Sequence, residues 1–304
     1  MKIKSDNNNS SSLNIGSKIK DYLKLIKVSL SIMVVFSSVL AYLLVPDIEN
    51  KYANPLQMTI LLAIGGLLVT GSANAINQAV EKNTDAMMKR TSSRPVAAGR
   101  MSVTEAWVFA IIAGLVGIFI LGDYFNWTSA GLAAFSLFLY AFVYTPLKKV
   151  NAVAVLVGAF PGALPCLIGW AAGDETLGMG GWVLFALQFL WQFPHFWAIC
   201  WIAYKDYSLA GFKLLPSEKG PTKFTALQTV IYSLLLLPVG VVPYFIGMSG
   251  IVSLFIVAAA NLFMVWQCVR LYREMEIKAA RRVMFSSYIY LPVVLFALLG
   301  DKLN

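Results

Sequence analysis

Residues 57–80 read Gln-Met-Thr-Ile-Leu-Leu-Ala-Ile-Gly-Gly-Leu-Leu-Val-Thr-Gly-Ser-Ala-Asn-Ala-Ile-Asn-Gln-Ala-Val, and the chain continues Glu81-Lys82-Asn83-Thr84-Asp85. The first part carries no charge over 24 residues, and about 20 helical residues cross the hydrocarbon core of a bilayer. It lacks strict alternation and is about twice the length of a barrel strand, so it predicts a membrane-spanning helix. Its end is patterned. Asn77, Glu81 and Asp85 stand at i, i+4 and i+8, which places them on one helical face, drifting about 40° per step. Two carboxylates and an amide oxygen on one stripe form a hard-oxygen site of the kind that suits Mg²⁺, an ion that takes its other ligands from water and substrate phosphates. The bases Lys89, Arg90 and Arg94 follow at once. Arginines beside an acidic stripe are what diphosphate binding requires. The alternative reading is a helix end followed by a solvated, mixed-charge loop.

The rest of the chain repeats the first half of this pattern. Of 304 residues, 59% are hydrophobic and 13% charged, about half the charge of a soluble domain. A water-soluble globule could not cover its surface with so few charges, and a disordered chain would not be so apolar. Nine apolar segments are long enough to span: 25–45, 57–80, 103–122, 127–146, 151–171, 180–201, 225–246, 250–270 and a short one at 284–300. The fold class is therefore all-α, a nine-helix transmembrane bundle. Residues 1–24, with the run Asn7 to Ser12, read as a disordered polar tail preceding a membrane domain over 25–304; no apolar core follows the first lysines at signal-peptide distance. Cys166, Cys200 and Cys268 all lie in apolar stretches without a CxxC, which argues against a disulfide framework or a zinc site. A single histidine leaves no room for a multi-histidine metal centre.

The excess of 24 Lys+Arg over 15 Asp+Glu would suggest nucleic acid in a soluble protein. Here the basic residues sort by side. With the N-terminus in the cytoplasm, every one except Lys51 and Lys302 falls in the tail or in the 2–3, 4–5, 6–7 and 8–9 connections. That asymmetry predicts N-terminus in, C-terminus out, and no nucleic-acid partner. The 2–3 and 6–7 connections are long and carry acids as well as bases, so function is expected on the cytoplasmic side.

The 6–7 connection is the second candidate region. It begins within the sixth span at Trp191-Gln192-Phe193-Pro194-His195-Phe196-Trp197, passes Tyr204-Lys205-Asp206-Tyr207 and ends near Leu214-Leu215-Pro216. Asp206 either approaches the first stripe as a further metal ligand or pairs locally with Lys205. His195 is either a hydrogen-bonded packing residue or a ligand. Lys148 and Lys149, in Tyr144-Thr145-Pro146-Leu147-Lys148-Lys149, either set topology or reach a diphosphate.

Together these motifs resemble the intramembrane aromatic prenyltransferases of the UbiA-type superfamily. Asn77-x3-Glu81-x3-Asp85 with Lys89-Arg90-Thr91-x2-Arg94-Pro95 is similar to its first Asp-rich motif. The segments at 144–149, 191–197, 204–207 and 214–216 resemble the branch that farnesylates protohaem IX. The resemblance covers roughly residues 20–300. It implies a bundle around a central cavity, open toward the cytoplasm and to lipid, in the inner membrane. It implies transfer of a farnesyl group from farnesyl diphosphate to a vinyl carbon of haem b, with Mg²⁺ as cofactor. The implied metal and catalytic residues are Asn77, Glu81, Asp85 and Asp206. The implied diphosphate contacts are Lys89, Arg90, Arg94, Lys148, Lys149 and Lys205, and His195 is the haem-binding candidate. The next haem-modifying enzyme or an oxidase assembly would be the partner.

The chain departs from the usual pattern in two places. Glu81 stands where the family has Asp, adding a methylene to the ligand arm, and Asn83 stands where an extra Asp is common. After Asp206, Ala210 leaves the second motif with one acid, as in the haem branch. Two other functions compete. A quinone-type relative would take a soluble aromatic acid, but the His195 segment and the lone Asp206 argue against it. A transporter would show internal repeats and midplane charges, whereas here the acids cluster at one membrane face.

Overall fold

A computed structural model describes residues 15–217 and 219–303. Among the described residues all regular structure is helical, apart from one isolated bridge between Ser249 and Lys302. The chain opens with α1 (Ile15–Leu25), α2 (Val28–Leu43) and the single turn α3 (Ile48–Lys51), then α4 (Pro55–Val80) and α5 (Lys82–Met87). It continues through α6 (Val103–Tyr124), α7 (Trp127–Phe138), a π-helical turn (Leu139–Tyr144) and α8 (Thr145–Leu147). The second half holds α9 (Val153–Gly173), α10 (Met179–Ile202), α11 (Tyr204–Leu209), α12 (Lys223–Phe245), α13 (Ile251–Glu274) and α14 (Ile277–Gly300). With α7 to α8 as one unit, eight helices are long and apolar enough to cross a membrane. The pair α1 and α2, bent by 51°, passes the same test together, and counted as one span it brings the number to nine.

Local chemistry starts several of these helices. Asn54 accepts from Gln57 N ahead of Pro55 at the first position of α4, and Ser102 accepts from Glu105 N at α6. Asn126 does the same for α7. Each side chain satisfies a backbone N–H that has no partner within its helix.

Two expectations need correction. The polar tail does not run unstructured through residue 24, because residues 15–25 form α1; residues 1–14 lie outside the described residues. Two of its charges are paired rather than solvated: Arg100 holds the buried Asp21 at 3.0 Å, and Lys18 reaches Glu105, as does the Tyr22 hydroxyl. The last span is not short. It begins at Ile277, because Arg270 and Arg282 both close on Glu274 and draw the 8–9 connection into two helix ends.

The interior is tied by polar side chains that serve backbone groups, as a lipid environment demands. α9 lies at the centre, buried along most of its length. Pro165 lacks the N–H that would bond the Pro161 carbonyl, and Ser136 of α7 donates to that oxygen at 3.2 Å. Asn261 of α13 donates to Leu236 O of α12 and accepts from Tyr290 of α14, locking three helices together. At the membrane face opposite the stripe, Lys51 donates to Gly173 O and Lys302 to Leu43 O and Val45 O. The two basic residues set apart by the charge count thus cap the carbonyl ends of α9 and α2. A hollow of about 430 Å³ lies at this same far end, lined by Val45, Asp47, Lys51, Trp170 and Asp174.

α2 and α9 approach closely enough to require Gly169. A Cβ there would stand 1.8 Å from the backbone oxygen of Ser38. Backbone cannot move aside as a side chain can, so Gly169→Ala is expected to lower stability by at least the ~1–3 kcal/mol of an overpacked core. Thermal unfolding in detergent checks this; an unchanged midpoint would mean that the two helices do not pack this way.

Candidate functional site

The stripe survives a helix break. α4 ends at Val80 and α5 begins at Lys82, yet Glu81 N donates to Asn77 O at 2.9 Å and Asp85 N to Glu81 O at 2.7 Å. The i to i−4 ladder carries on through Glu81, so the three side chains keep one face. All are buried: Asn77 is 1% exposed, Glu81 4% and Asp85 1%. Two carboxylates survive burial only when paired, and both are. Glu81 Oε1 stands 2.5 Å from Lys148 Nζ, and Arg94 Nη1 reaches both oxygens of Asp85 at 2.7 Å. Asn77 Nδ2 donates to Glu81 Oε2 at 2.8 Å, and Asn77 Oδ1 accepts from Lys27 Nζ at 3.0 Å.

Each cation is delivered by a local device. Arg94 returns to Asp85 through a chain of turns in which Thr91 Oγ1 donates to Asp85 O and Arg94 N to Thr91 O. Lys148 is delivered by the π-helical turn. Thr145 sends both its N–H and its hydroxyl to Tyr140 O, five residues back, just where Pro146 interrupts the ordinary ladder. The wider turn brings Thr145 Oγ1 within 3.4 Å of Asn77 Nδ2 and turns Lys148 inward, where it is 7% exposed. Lys149 is left outside.

The 6–7 connection then closes over Lys148. α11 ends in a Schellman turn: Gly211 has φ +74°, Phe212 N donates to Tyr207 O and Gly211 N to Ser208 O. That reversal sets the Phe212 ring 5.3 Å from Lys148 Nζ and lets Lys213 N donate to Lys148 O at 2.8 Å. Burial pushes the Lys148 ammonium below its ordinary pKa, and Glu81 pulls the other way.

Lys27 is the residue that sequence reasoning missed, having counted it only toward topology. It sits in the left-handed region, φ 49°, at the bend between α1 and α2. A second polar row on α4 clamps that bend. Asn74 Nδ2 donates to Ile26 O and Ser31 Oγ, and Gln78 Nε2 to Lys24 O and Leu25 O, so the carbonyls freed by the bend are satisfied. The pair Asn74 and Gln78, four apart inside an apolar span, is the signal that pointed here.

Other expected residues stand apart. Lys89, Lys149 and Lys205 are exposed and unpaired with any acid among the described residues. Arg90 donates to Tyr207 OH at 2.9 Å with its guanidinium 5.5 Å from the ring centroid. Burial pushes the Tyr207 phenol up to about 12, so it stays neutral there. No three of His, Cys, Asp and Glu among the described residues gather at metal-binding distance. Asp206 is half-buried and pairs with neither Lys205 nor any other described base. His195 lies on α10 against α14, 2.7 Å from Ser287 Oγ and stacked on Trp191.

Against the stripe packs an apolar, aromatic cluster that includes Met88, Tyr144, Phe193, Trp197, Phe212 and Leu214, with Tyr140 and Tyr232 at its edge. Three cations therefore face two carboxylates and an amide beside a dry aromatic wall. The donor set fits Mg²⁺. All its side-chain donors are oxygens, and Glu81 Oε1 receives no directed hydrogen bond although an ammonium lies beside it. Two carboxylates and one amide leave coordination positions for water and phosphate oxygens, the usual condition of protein-bound Mg²⁺.

Residues 30–290 match the UbiA prenyltransferase family. The chain is 43% identical over 289 residues to the Protoheme IX farnesyltransferase of Cytophaga hutchinsonii, covering 95% of this chain and all of that one. It is 41% identical to the Protoheme IX farnesyltransferase of Flavobacterium johnsoniae, over 95% and 97% of the two chains. Among solved structures, a digeranylgeranylglyceryl phosphate synthase superposes with TM-score 0.77 at 20% identity, covering 94% of this chain and 98% of that one. A UbiA homolog from Archaeoglobus fulgidus bound to GPP and Mg²⁺ superposes with TM-score 0.68 at 18% identity, covering 92% and 99%. These structural likenesses bear on the fold.

Proposed function

The chain belongs to the UbiA prenyltransferase family, and from that premise we propose that it transfers the farnesyl group of farnesyl diphosphate to a vinyl carbon of haem b, releasing diphosphate. The observation that carries the donor half is the buried Asn77-Glu81-Asp85 stripe ringed by Lys27, Lys148 and Arg94. The acceptor half rests on full-length relatives named Protoheme IX farnesyltransferase at 34–43% identity.

Diphosphate leaves only when its growing charge is neutralised. Mg²⁺, held by Asn77, Glu81 and Asp85, supplies that neutralisation when bound. The chain's own part is the preorganised cation set. Lys148 and Arg94 already lie beside the two carboxylates, so a diphosphate entering there meets fixed donors rather than solvent. Lys27, fixed by the Asn74 and Gln78 clamp, faces the same amide from the other side. The wall of Tyr140, Tyr144, Phe193, Trp197 and Tyr232 keeps water from the allylic cation and offers ring faces to its charge.

The C–O bond breaks and diphosphate carries away the electron pair. The terminal vinyl carbon of haem then bonds to the farnesyl C1. Water adds to the carbon beside the porphyrin and loses a proton, leaving a hydroxyethylfarnesyl side chain. Arg90 and Tyr207 tie the 2–3 and 6–7 connections together over the site. Lys89, Lys149 and Lys205, being exposed, serve the approach of the anion rather than the step itself. Asp206 is given no metal in this reading.

The excess of basic residues on the stripe side supports a cytoplasmic setting for that face, and in this reading the chain lies in the inner membrane and its haem passes on to a further haem-modifying enzyme or an oxidase. The test is incubation of the purified protein with Mg²⁺, farnesyl diphosphate and, in separate arms, haem b, 4-hydroxybenzoate and a naphthoate. Mass spectrometry is expected to find a farnesylated, hydrated haem in the first arm alone. Prenylation of an aromatic acid without haem product would replace this acceptor with a quinone precursor.

A further inference from the structure

Every side chain of the stripe is already held by a base, and each base comes from a different part of the chain. Lys27 Nζ, at the bend between α1 and α2, donates to Asn77 Oδ1 at 3.0 Å. Lys148 Nζ, delivered by the π-helical turn, lies 2.5 Å from Glu81 Oε1. Arg94 Nη1, from the connection after α5, reaches both oxygens of Asp85 at 2.7 Å. The two carboxylates are thus neutralised one for one, and neither Lys148 nor Arg94 pairs with a second acid among the described residues.

To admit a divalent cation alone, Lys148 and Arg94 would have to leave their acids with no other acid to turn to, and would stay beside the new charge in a dry pocket. To admit a free diphosphate alone, the same two bases would turn to it and strip two buried carboxylates beside its own negative charge. Either arrival strands buried charge, which is the costly case. A metal diphosphate exchanges partners and strands none, because the carboxylates pass to the metal as the bases pass to phosphate oxygens. The side chains suit that exchange. Glu81 Oε1 is buried and receives no directed hydrogen bond, so Lys148 covers its charge without completing its coordination. Lys148 Nζ lies 4.9 Å from the ring centroid of Tyr144 and 5.3 Å from that of Phe212, faces that keep a displaced ammonium seated. Arg94 uses one nitrogen on Asp85, which leaves the rest of its guanidinium fork for phosphate oxygens.

We infer that the donor substrate of this site is the preformed metal chelate of the prenyl diphosphate, and that Lys148 and Arg94 keep free metal off the stripe until the phosphate oxygens of the chelate take them over. The inference rests on the donor half of the proposed function, a prenyl diphosphate bound at the stripe, and is independent of the acceptor. When diphosphate leaves, Lys148 and Arg94 return to Glu81 and Asp85, and the metal departs with the product.

The full-length protein in detergent is titrated with Mn²⁺ alone, read by loss of the free-ion EPR signal, and with labelled farnesyl thiodiphosphate, a donor that resists cleavage, in Mn²⁺ or in EDTA. Neither reading needs turnover. Wild-type protein is expected to bind the thiodiphosphate about 100-fold more tightly in Mn²⁺ than in EDTA, while Mn²⁺ alone leaves both the EPR signal and the unfolding midpoint unchanged. Lys148→Met and Arg94→Gln should each take up Mn²⁺ alone about 10-fold or more tightly than the wild type, with a rise in unfolding midpoint, and should bind the chelate more weakly. Arg94→Gln keeps an amide donor near Asp85 and serves if Lys148→Met does not fold. Asp85→Asn, which removes a carboxylate, should bind the thiodiphosphate in EDTA about 10-fold more tightly than the wild type does. Wild-type uptake of Mn²⁺ alone as tight as in the two base variants, or equal thiodiphosphate affinity in Mn²⁺ and EDTA, would overturn the chelate and leave the donor site standing. No thiodiphosphate binding in any arm would overturn the donor site and the inference with it.

Discussion

Asp85→Ala is expected to lower kcat/KM for farnesyl transfer by three orders of magnitude or more. Loss of a single group that stabilises departing charge costs about 10²–10³ in rate. Asp85 carries two such burdens, since it is a metal oxygen in the proposed site and also holds Arg94 Nη1 through both carboxylate oxygens. Removing it takes a ligand from the metal and frees a guanidinium to swing away. Stability suffers less than activity. Breaking a buried pair costs ~3–5 kcal/mol when the partner stays dry, but Arg94 is 18% exposed and can rehydrate, so about 1–3 kcal/mol is expected. Assays well below the unfolding midpoint separate the two effects. Asp85→Asn should lose nearly as much activity, since it keeps the shape and removes the charge. Near wild-type rates in both variants would remove Asp85 from the machinery.

Lys148→Met should have the opposite balance, with stability hit as hard as activity. Lys148 and Glu81 are both almost fully buried, with side chains 8% and 5% exposed. Without the ammonium, Glu81 keeps only the hydrogen bond from Asn77 Nδ2, and a buried charge stripped of its ionic partner costs ~3–5 kcal/mol. Glu81→Gln in the same chain removes the stranded charge, so the double variant is expected to recover most of the stability. It should not recover activity, which stays down about 10²-fold or more because both a metal oxygen and a diphosphate donor are gone. Unfolding midpoints and turnover for the two single variants and the double variant complete the cycle. A Lys148→Met protein as stable and active as the wild type would show that the lysine faces elsewhere.

The spans were readable because crossing a bilayer is a property of each segment alone. Seven of the nine predicted segments agree with the observed helices to within four residues at each end; the first gains α1, and the start of the last was moved back by Glu274 holding Arg270 and Arg282 from two different helices. The stripe was readable for the same local reason: its spacing is a helical period, and the backbone ladder carries that period across Glu81. What could not be read depends on contacts between distant segments. Lys148 and Lys149 are adjacent and chemically identical, and only the π-helical turn sends one inward. Lys27 and Lys24 both look like topology residues until Gln78 and Asn74, some 50 positions away, clamp the bend between α1 and α2. The helix α1 was hidden because its Asp21 and Lys18 pair with Arg100 and Glu105, far along the chain. His195 supported two readings, and its hydrogen-bond partner Ser287 stands on α14, 92 positions away.

The direct test of the account is to place the metal. Crystals of the full-length protein grown with Mn²⁺ in place of Mg²⁺ and with farnesyl thiodiphosphate, which resists cleavage, would be measured for anomalous scattering. The account predicts one strong peak in contact with Glu81 and Asp85, with Lys148 and Arg94 turned from the carboxylates onto the diphosphate oxygens. A diphosphate bound with no metal at the stripe, or with both acids still locked to their bases, would contradict it.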